Sequence, residues 1–127
     1  MRILVVEPGR TPYEKDIPAS LEAMQEIVGG TIQAVYPFDE PAALICNDEG
    51  KLLGLPLNRA LRDDDGSICD VVAGTFFLCG APANTECFGS LTDEEIQKFR
   101  DHFSAVEVFL RTGDGLLVLR EEGENMT

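Results

Sequence analysis

The sequence predicts one α+β domain: a mostly antiparallel sheet of short strands and hairpins with two amphipathic helices. Three observations predict it. The 127 residues fit one domain, because domains cluster near roughly 100–150 residues. Short β-branched and leucine-rich runs recur between Gly, Pro, Asn and Asp turn signals. Helical spacing beneath a helix-capping residue occurs after Ser20 and again after Thr92.

Taken in order, Arg2 to Glu7 is an apolar run closed by Pro8-Gly9, a strand and a turn, and its continuous apolarity predicts a central place in the sheet. Arg10 to Ile17 is polar and extended. Ser20 caps a helix in which Leu21, Met24, Ile27 and Val28 share a face. Glu22 suits the positive end of its dipole, and Gly29-Gly30 stops it. Thr31 to Tyr36 alternates as a strand should and ends at Pro37. After a turn at Phe38–Pro41, Ala42 to Cys46 is a strand, Asn47–Gly50 a hairpin turn and Lys51 to Leu55 the return strand.

Leu57 to Leu61 reads as either a short helical turn or a bent strand. Asp63–Gly66 is a turn, and Ile68 to Leu78 is one apolar strand with Gly74 as a bulge or a point of close approach. Gly80 to Ser90 is a loop. Thr92 caps the second helix with Glu95 three residues on, and Leu91 can pack on Ile96 as a hydrophobic staple. Ile96, Phe99, His102 and Phe103 then mark one face. Val106 to Arg111 and Leu116 to Arg120 form a hairpin about Gly113-Asp114-Gly115. The domain is expected to span residues 1–120, with 121–127 a frayed acidic tail.

Hydrophobic residues make up 44% of the chain, which suits a globular rather than a disordered protein. Charge is the outlier: 23 acids against 10 bases leave a formal net charge of −13. That balance argues against direct nucleic-acid binding, which needs clustered Lys and Arg, and against anionic membranes. Two readings remain, a soluble cytosolic chain kept apart by like charge, and a surface that imitates nucleic acid and engages a basic partner. Cys46, Cys69, Cys79 and Cys87 form no C-x-x-C pair, and there is a single His. No run approaches the roughly 18 apolar residues of a membrane span, and the short apolar start does not suit a signal peptide. These features predict a cytoplasmic protein with reduced thiols and no zinc site.

Catalytic patterns are missing. No glycine-rich loop joins a strand to a helix with the Lys-Ser/Thr a phosphate loop needs. Asp63-Asp64-Asp65 opens like a calcium loop, but Gly falls at its fourth position instead of its sixth. His102, the one candidate base, lies on the apolar face of the second helix and reads as packing. No metal and no cofactor are expected. Asn58, Arg59 and Arg62 are the candidates that survive, because Arg suits planar, bidentate recognition of carboxylate or phosphate. Their structural reading is an ion pair with Asp63–Asp65 or Asp70, pinning that turn. Their functional reading is an anionic small ligand or nucleotide in a pocket roofed by Tyr36 or Phe38, with a dimer interface left open.

The runs VVEPGR-x-PYEK, IQAVYPFDEPAALICNDEGKLLGLPLNRALRD, DVVAGTFFLCG and LTDEEIQKF resemble a family of small proteins, the domain-of-unknown-function family 3846. The resemblance covers Met1 to about Phe103. It implies a setting in bacteria, phages and conjugative elements and assigns no catalytic or binding residue. Taken with the charge, it leads to the expectation of a non-enzymatic accessory protein that binds a basic host protein, with a counter-defence role. The alternative is a small-ligand binder using Asn58, Arg59 and Arg62.

Overall fold

The computed structural model describes residues 1–82 and 87–121, Glu121 through its backbone alone. Along the chain run β1 (Arg2–Val6), β2 (Tyr13–Asp16), α1 (Leu21–Val28), β3 (Ile32–Val35), β4 (Ala42–Asn47), β5 (Leu57–Arg62), β6 (Ile68–Ala73), β7 (Phe76–Gly80), α2 (Asp93–His102), β8 (Val106–Thr112) and β9 (Gly115–Glu121). Five strands make one antiparallel sheet in the order β2-β1-β7-β4-β3, while β5-β6 and β8-β9 are separate two-stranded ribbons. The α+β expectation holds, with two helices among the described residues and a single small domain. Residues 122–127 of the expected tail lie outside the described residues, and β9 runs to Glu121.

The three inner strands are apolar because both faces of the sheet are covered. On one face Ile3, Val5, Ala43, Ile45, Phe77 and Cys79 pack with Met24 and Val28 of α1. On the other, Leu4, Val6, Leu44, Phe76 and Leu78 meet Ile96 and Phe99 of α2 and Leu61 and Val72 of the β5-β6 ribbon. Both helices start where local chemistry dictates. Ser20 accepts from Ala23 N, and Gly29 ends α1 in the left-handed region at φ 79°. Thr92 and Glu95 form a reciprocal capping box, with Leu91 buried beneath it.

Three expectations need correcting, and one left open is settled. Lys51–Gly54 is a coil of turns instead of a return strand, closed by Leu53 N donating to Glu49 O at 2.9 Å and Leu55 N to Gly50 O at 3.0 Å. A return strand has no edge to join, because β4 is flanked by β3 and β7. Leu52 is accordingly 86% exposed. The run Ile68 to Leu78 is two strands in different sheets. Gly74, at φ 84°, turns the chain from the β6 edge into the middle of the main sheet. There a Cβ would lie 2.7 Å from Leu55 Cδ1, so the close approach is real and the bulge is a crossing. Leu57–Leu61, open between a helical turn and a bent strand, is the strand, with register irregularities on either side of the Arg59–Leu61 stretch. His102 is not packed into the core: it is exposed at the end of α2, edge-on to Phe38 and Phe103 at 5.9 and 4.6 Å. No helix among the described residues is long and apolar enough to cross a membrane.

Candidate functional site

The arginines selected from the sequence sit where β5, the C-terminal end of α2 and the β8-β9 ribbon meet. Both faces of β5 are covered from Asn58 to Leu61, and cover ends at Arg62. Arg59 points into the protein and is 1% exposed, and Asn58 beside it is 0% exposed. Arg62, near the strand end, keeps 27% of its side chain in solvent.

Among the described residues, no carboxylate lies within ion-pairing reach of Arg59. Its guanidinium makes five hydrogen bonds, one for each N–H. Nε and Nη2 donate to Phe103 O at 3.2 and 3.0 Å, and Nη2 also donates to Arg10 O at 2.6 Å. Nη1 donates to Asn58 O at 3.2 Å and Asn58 Oδ1 at 2.9 Å. Asn58 in turn donates from Nδ2 to Val6 O at 2.8 Å and Gly74 O at 2.9 Å. Phe103 is the C-cap of α2, so the buried cation lies on the helix end where unpaired carbonyls and the dipole are both negative. Burial still pulls the guanidinium below its ordinary pKa, with Glu107 opposing. The pair therefore ties β1, β5, the Gly74 crossing and α2 together.

Arg62 takes a different partner. It donates to Glu107 from Nη2 to Oε2 at 2.8 Å and from Nη1 to Oε1 at 3.4 Å, and Glu107 Oε1 also accepts from Ala60 N at 2.9 Å. Glu107 thereby fastens β8 to β5 with a largely desolvated carboxylate. The expected staple to Asp63–Asp65 or Asp70 is not formed. Asp63 serves its own turn, with Oδ1 accepting from Asp65 N and Ser67 N at 3.0 Å each. Asp70 is held by Lys51 at 2.6 Å. A turn that satisfies its own donors has no need of a neighbouring base.

Arg59, Arg62, His102, Phe103, Glu107 and Arg120 line a cleft of about 260 Å³. Partial desolvation against Phe38 and Phe103, with Arg120, Arg62 and Lys98 nearby, holds the His102 imidazole below its ordinary pKa. Phe38 stands one ring behind the cleft, 4.6 Å from Phe99 and 6.1 Å from Phe103. Tyr36 lies elsewhere, 62% exposed at the end of β3. The fold thus brings Asn58, Arg59 and Arg62 together, sets Phe38 behind them and leaves Tyr36 apart. Glu107 escaped notice in the sequence. Its one signal was a lone carboxylate inside the apolar run Val106–Leu110.

A model of the family described as Domain of unknown function (DUF3846) matches residues 1–104. The chain belongs to the DUF3846 family. No curated protein and no solved structure matches it. The match ends before β8, so Glu107 and Arg120 lie beyond the residues that the DUF3846 model covers.

Charge elsewhere on this DUF3846 chain is distributed unevenly. Arg2 pairs with Glu14 and Asp93, Arg10 with Glu7, Lys51 with Asp70, Arg62 with Glu107, Lys98 with Glu40 and Arg100 with Glu14. With Arg59 buried, only Lys15, Arg111 and Arg120 make no ion pair among the described residues. Glu22, Glu26, Asp39, Asp48, Glu49, Asp64 and Glu94 are exposed, and none of them is ion-paired among those residues. No cluster able to hold a metal ion occurs among the described residues either.

Proposed function

We propose that the protein is a non-enzymatic binding protein that presents an acidic surface to a basic protein partner. The observation that carries this reading is the fate of the bases. Most are buried or tied to a carboxylate of the same chain, so the outward field comes from unpaired acids and steers cationic surfaces toward it. In the phage or mobile-element setting that the family resemblance implies, the partner is a host protein and the role is counter-defence.

The other reading, an anionic ligand or nucleotide held by Asn58, Arg59 and Arg62, finds less support. Every Arg59 donor already has an acceptor, and Arg62 is engaged by Glu107. The test is capture of host proteins on immobilised chain at about 0.05 M and about 0.5 M salt, where screening lengths differ severalfold. The captured set should be basic and should be lost at the higher salt. Capture that ignores salt would contradict the reading.

A further inference from the structure

The main sheet ends in two edge strands, β2 and β3, and β2, Tyr13–Asp16, carries Glu14, Lys15 and Asp16. Thr31–Phe38, TIQAVYPF, contains no charge, although the chain carries 33 charged Asp, Glu, Lys and Arg residues (23 acids and 10 bases). Exposed edge strands are ordinarily guarded by charge, proline or a bulge, because their open N–H and C=O groups template pairing with another chain. Here Pro37 stands just past the strand, and the strand itself has no guard.

The phase of the ladder shows which groups are open. Asp48 N donates to Thr31 O at 2.9 Å, and β3 pairs with β4 through Gln33↔Cys46 and Val35↔Leu44. In an antiparallel pair hydrogen bonding alternates, so Thr31, Gln33 and Val35 face β4 while Ile32, Ala34 and Tyr36 direct their main-chain groups outward.

Each face of the sheet has a cleft beside this edge. On the α1 side, at the turn that leads into the strand, Glu22, Gln25, Glu26, Gly29, Gly30 and Thr31 line one. On the opposite side Gln33, Val35, Cys46, Asp48, Glu49 and Asp70 line another, of about 150 Å³, in which Asp70 alone is neutralised, by Lys51. A strand added to β3 would direct successive side chains alternately to the two faces of the sheet, toward the α1 cleft near Thr31 and toward the cleft at Gln33 and Val35. Glu22 and Glu26 would meet one set, and Asp48 and Glu49 the other.

We infer that β3 is a docking edge that takes an extended, lysine- or arginine-bearing segment of a partner protein as an added antiparallel strand. Main-chain bonds to Ile32 and Ala34 supply affinity and the flanking acids supply selection. This inference rests on the proposed binding to a basic partner and names where it occurs.

The test uses the full chain and a labelled lysine- and valine-rich peptide of about eight residues, somewhat longer than a typical strand. Binding should protect the amides of Ile32 and Ala34 from hydrogen exchange. Ala34→Pro, which removes an outward N–H and leaves the β3–β4 ladder intact, should weaken binding by about tenfold or more. Glu22→Gln/Glu26→Gln and Asp48→Asn/Glu49→Gln should each weaken it and flatten its salt dependence. Salt-dependent binding that leaves the Ile32 and Ala34 amides unprotected overturns the docking edge while sparing the acidic-surface reading. Absence of salt-dependent binding by this peptide, together with salt-insensitive capture of host proteins, overturns both. If the chain alone sediments as a dimer that Ala34→Pro dissociates, the occupant is a second copy and the peptide assignment fails.

Discussion

Replacing Arg59 with Met tests the buried guanidinium most sharply. Its acceptors are mostly main-chain carbonyls, Phe103 O, Arg10 O and Asn58 O, with Asn58 Oδ1 as the fourth. Buried ion pairs can often be exchanged whole for apolar residues; carbonyls of the backbone cannot be mutated away. Each stranded buried acceptor costs about 1–3 kcal/mol, and Arg10 O is only partly buried. Water entering from the adjoining cleft of about 260 Å³ relieves part of the remainder. Met retains much of the packing of the Arg stem, so the expected loss is about 3–5 kcal/mol, a large share of the roughly 5–15 kcal/mol that holds a domain together. In urea, with a slope of about 2 kcal/mol per molar, the midpoint should fall by about 2 M. Arg59→Lys should recover little, since an ammonium cannot reproduce the fork that serves Phe103 O and Asn58 Oδ1 together. A Met variant within about 0.5 M of wild type, or full rescue by Lys, would refute the reasoning.

Other outcomes follow from the same contacts. Glu107→Ala should destabilise by about 2–4 kcal/mol by leaving Arg62 and Ala60 N without their acceptor, and Glu107→Gln by clearly less, compared by urea midpoints. Gly74→Ala should cost about 1–3 kcal/mol and lower the melting temperature, because its φ of 84° and the 2.7 Å approach to Leu55 both oppose a Cβ. The His102 pKa is lowered on folding, so the unfolded chain binds more protons between the folded value and about 6.5. Stability from this group is complete above pH about 6.5 and declines as pH falls through that window. His102→Gln should remove this slope, and an NMR titration that places the imidazole above its ordinary pKa would contradict it. Burial pushes the Cys79 thiol up to about 12, so at mildly alkaline pH a thiol reagent should modify exposed Cys69 in the native chain and reach Cys79 only on unfolding.

Elements with local causes were legible in the sequence. Ser20, Gly29 and the Thr92–Glu95 capping box act within one turn of chain, and they start or stop the helices where the spacing said they would. Strand partnership was less legible. Lys51–Leu55 looked like a return strand because the turn before it is hairpin-like, but the second neighbour of β4 is β7, some thirty residues on. At Gly74 a bulge and a crossing share one local signal, a glycine in an apolar run, and only the positive φ and the change of sheet separate them. For the site, the expected structural partners of the arginines, Asp63–Asp65 or Asp70, are not the ones they meet. Carbonyls at Arg10 and Phe103 carry no residue signature, so nothing in composition or spacing could have named them.

If function runs through the acids and not through the arginine cleft, one titration separates the two. Calorimetric binding of a lysine-rich peptide should weaken by about tenfold or more when Glu22, Glu26, Asp48 and Glu49 are made neutral, and should not weaken in Arg120→Gln, which removes a base of the cleft. Binding that survives the acid substitutions and fails in the Arg120 variant would contradict the account.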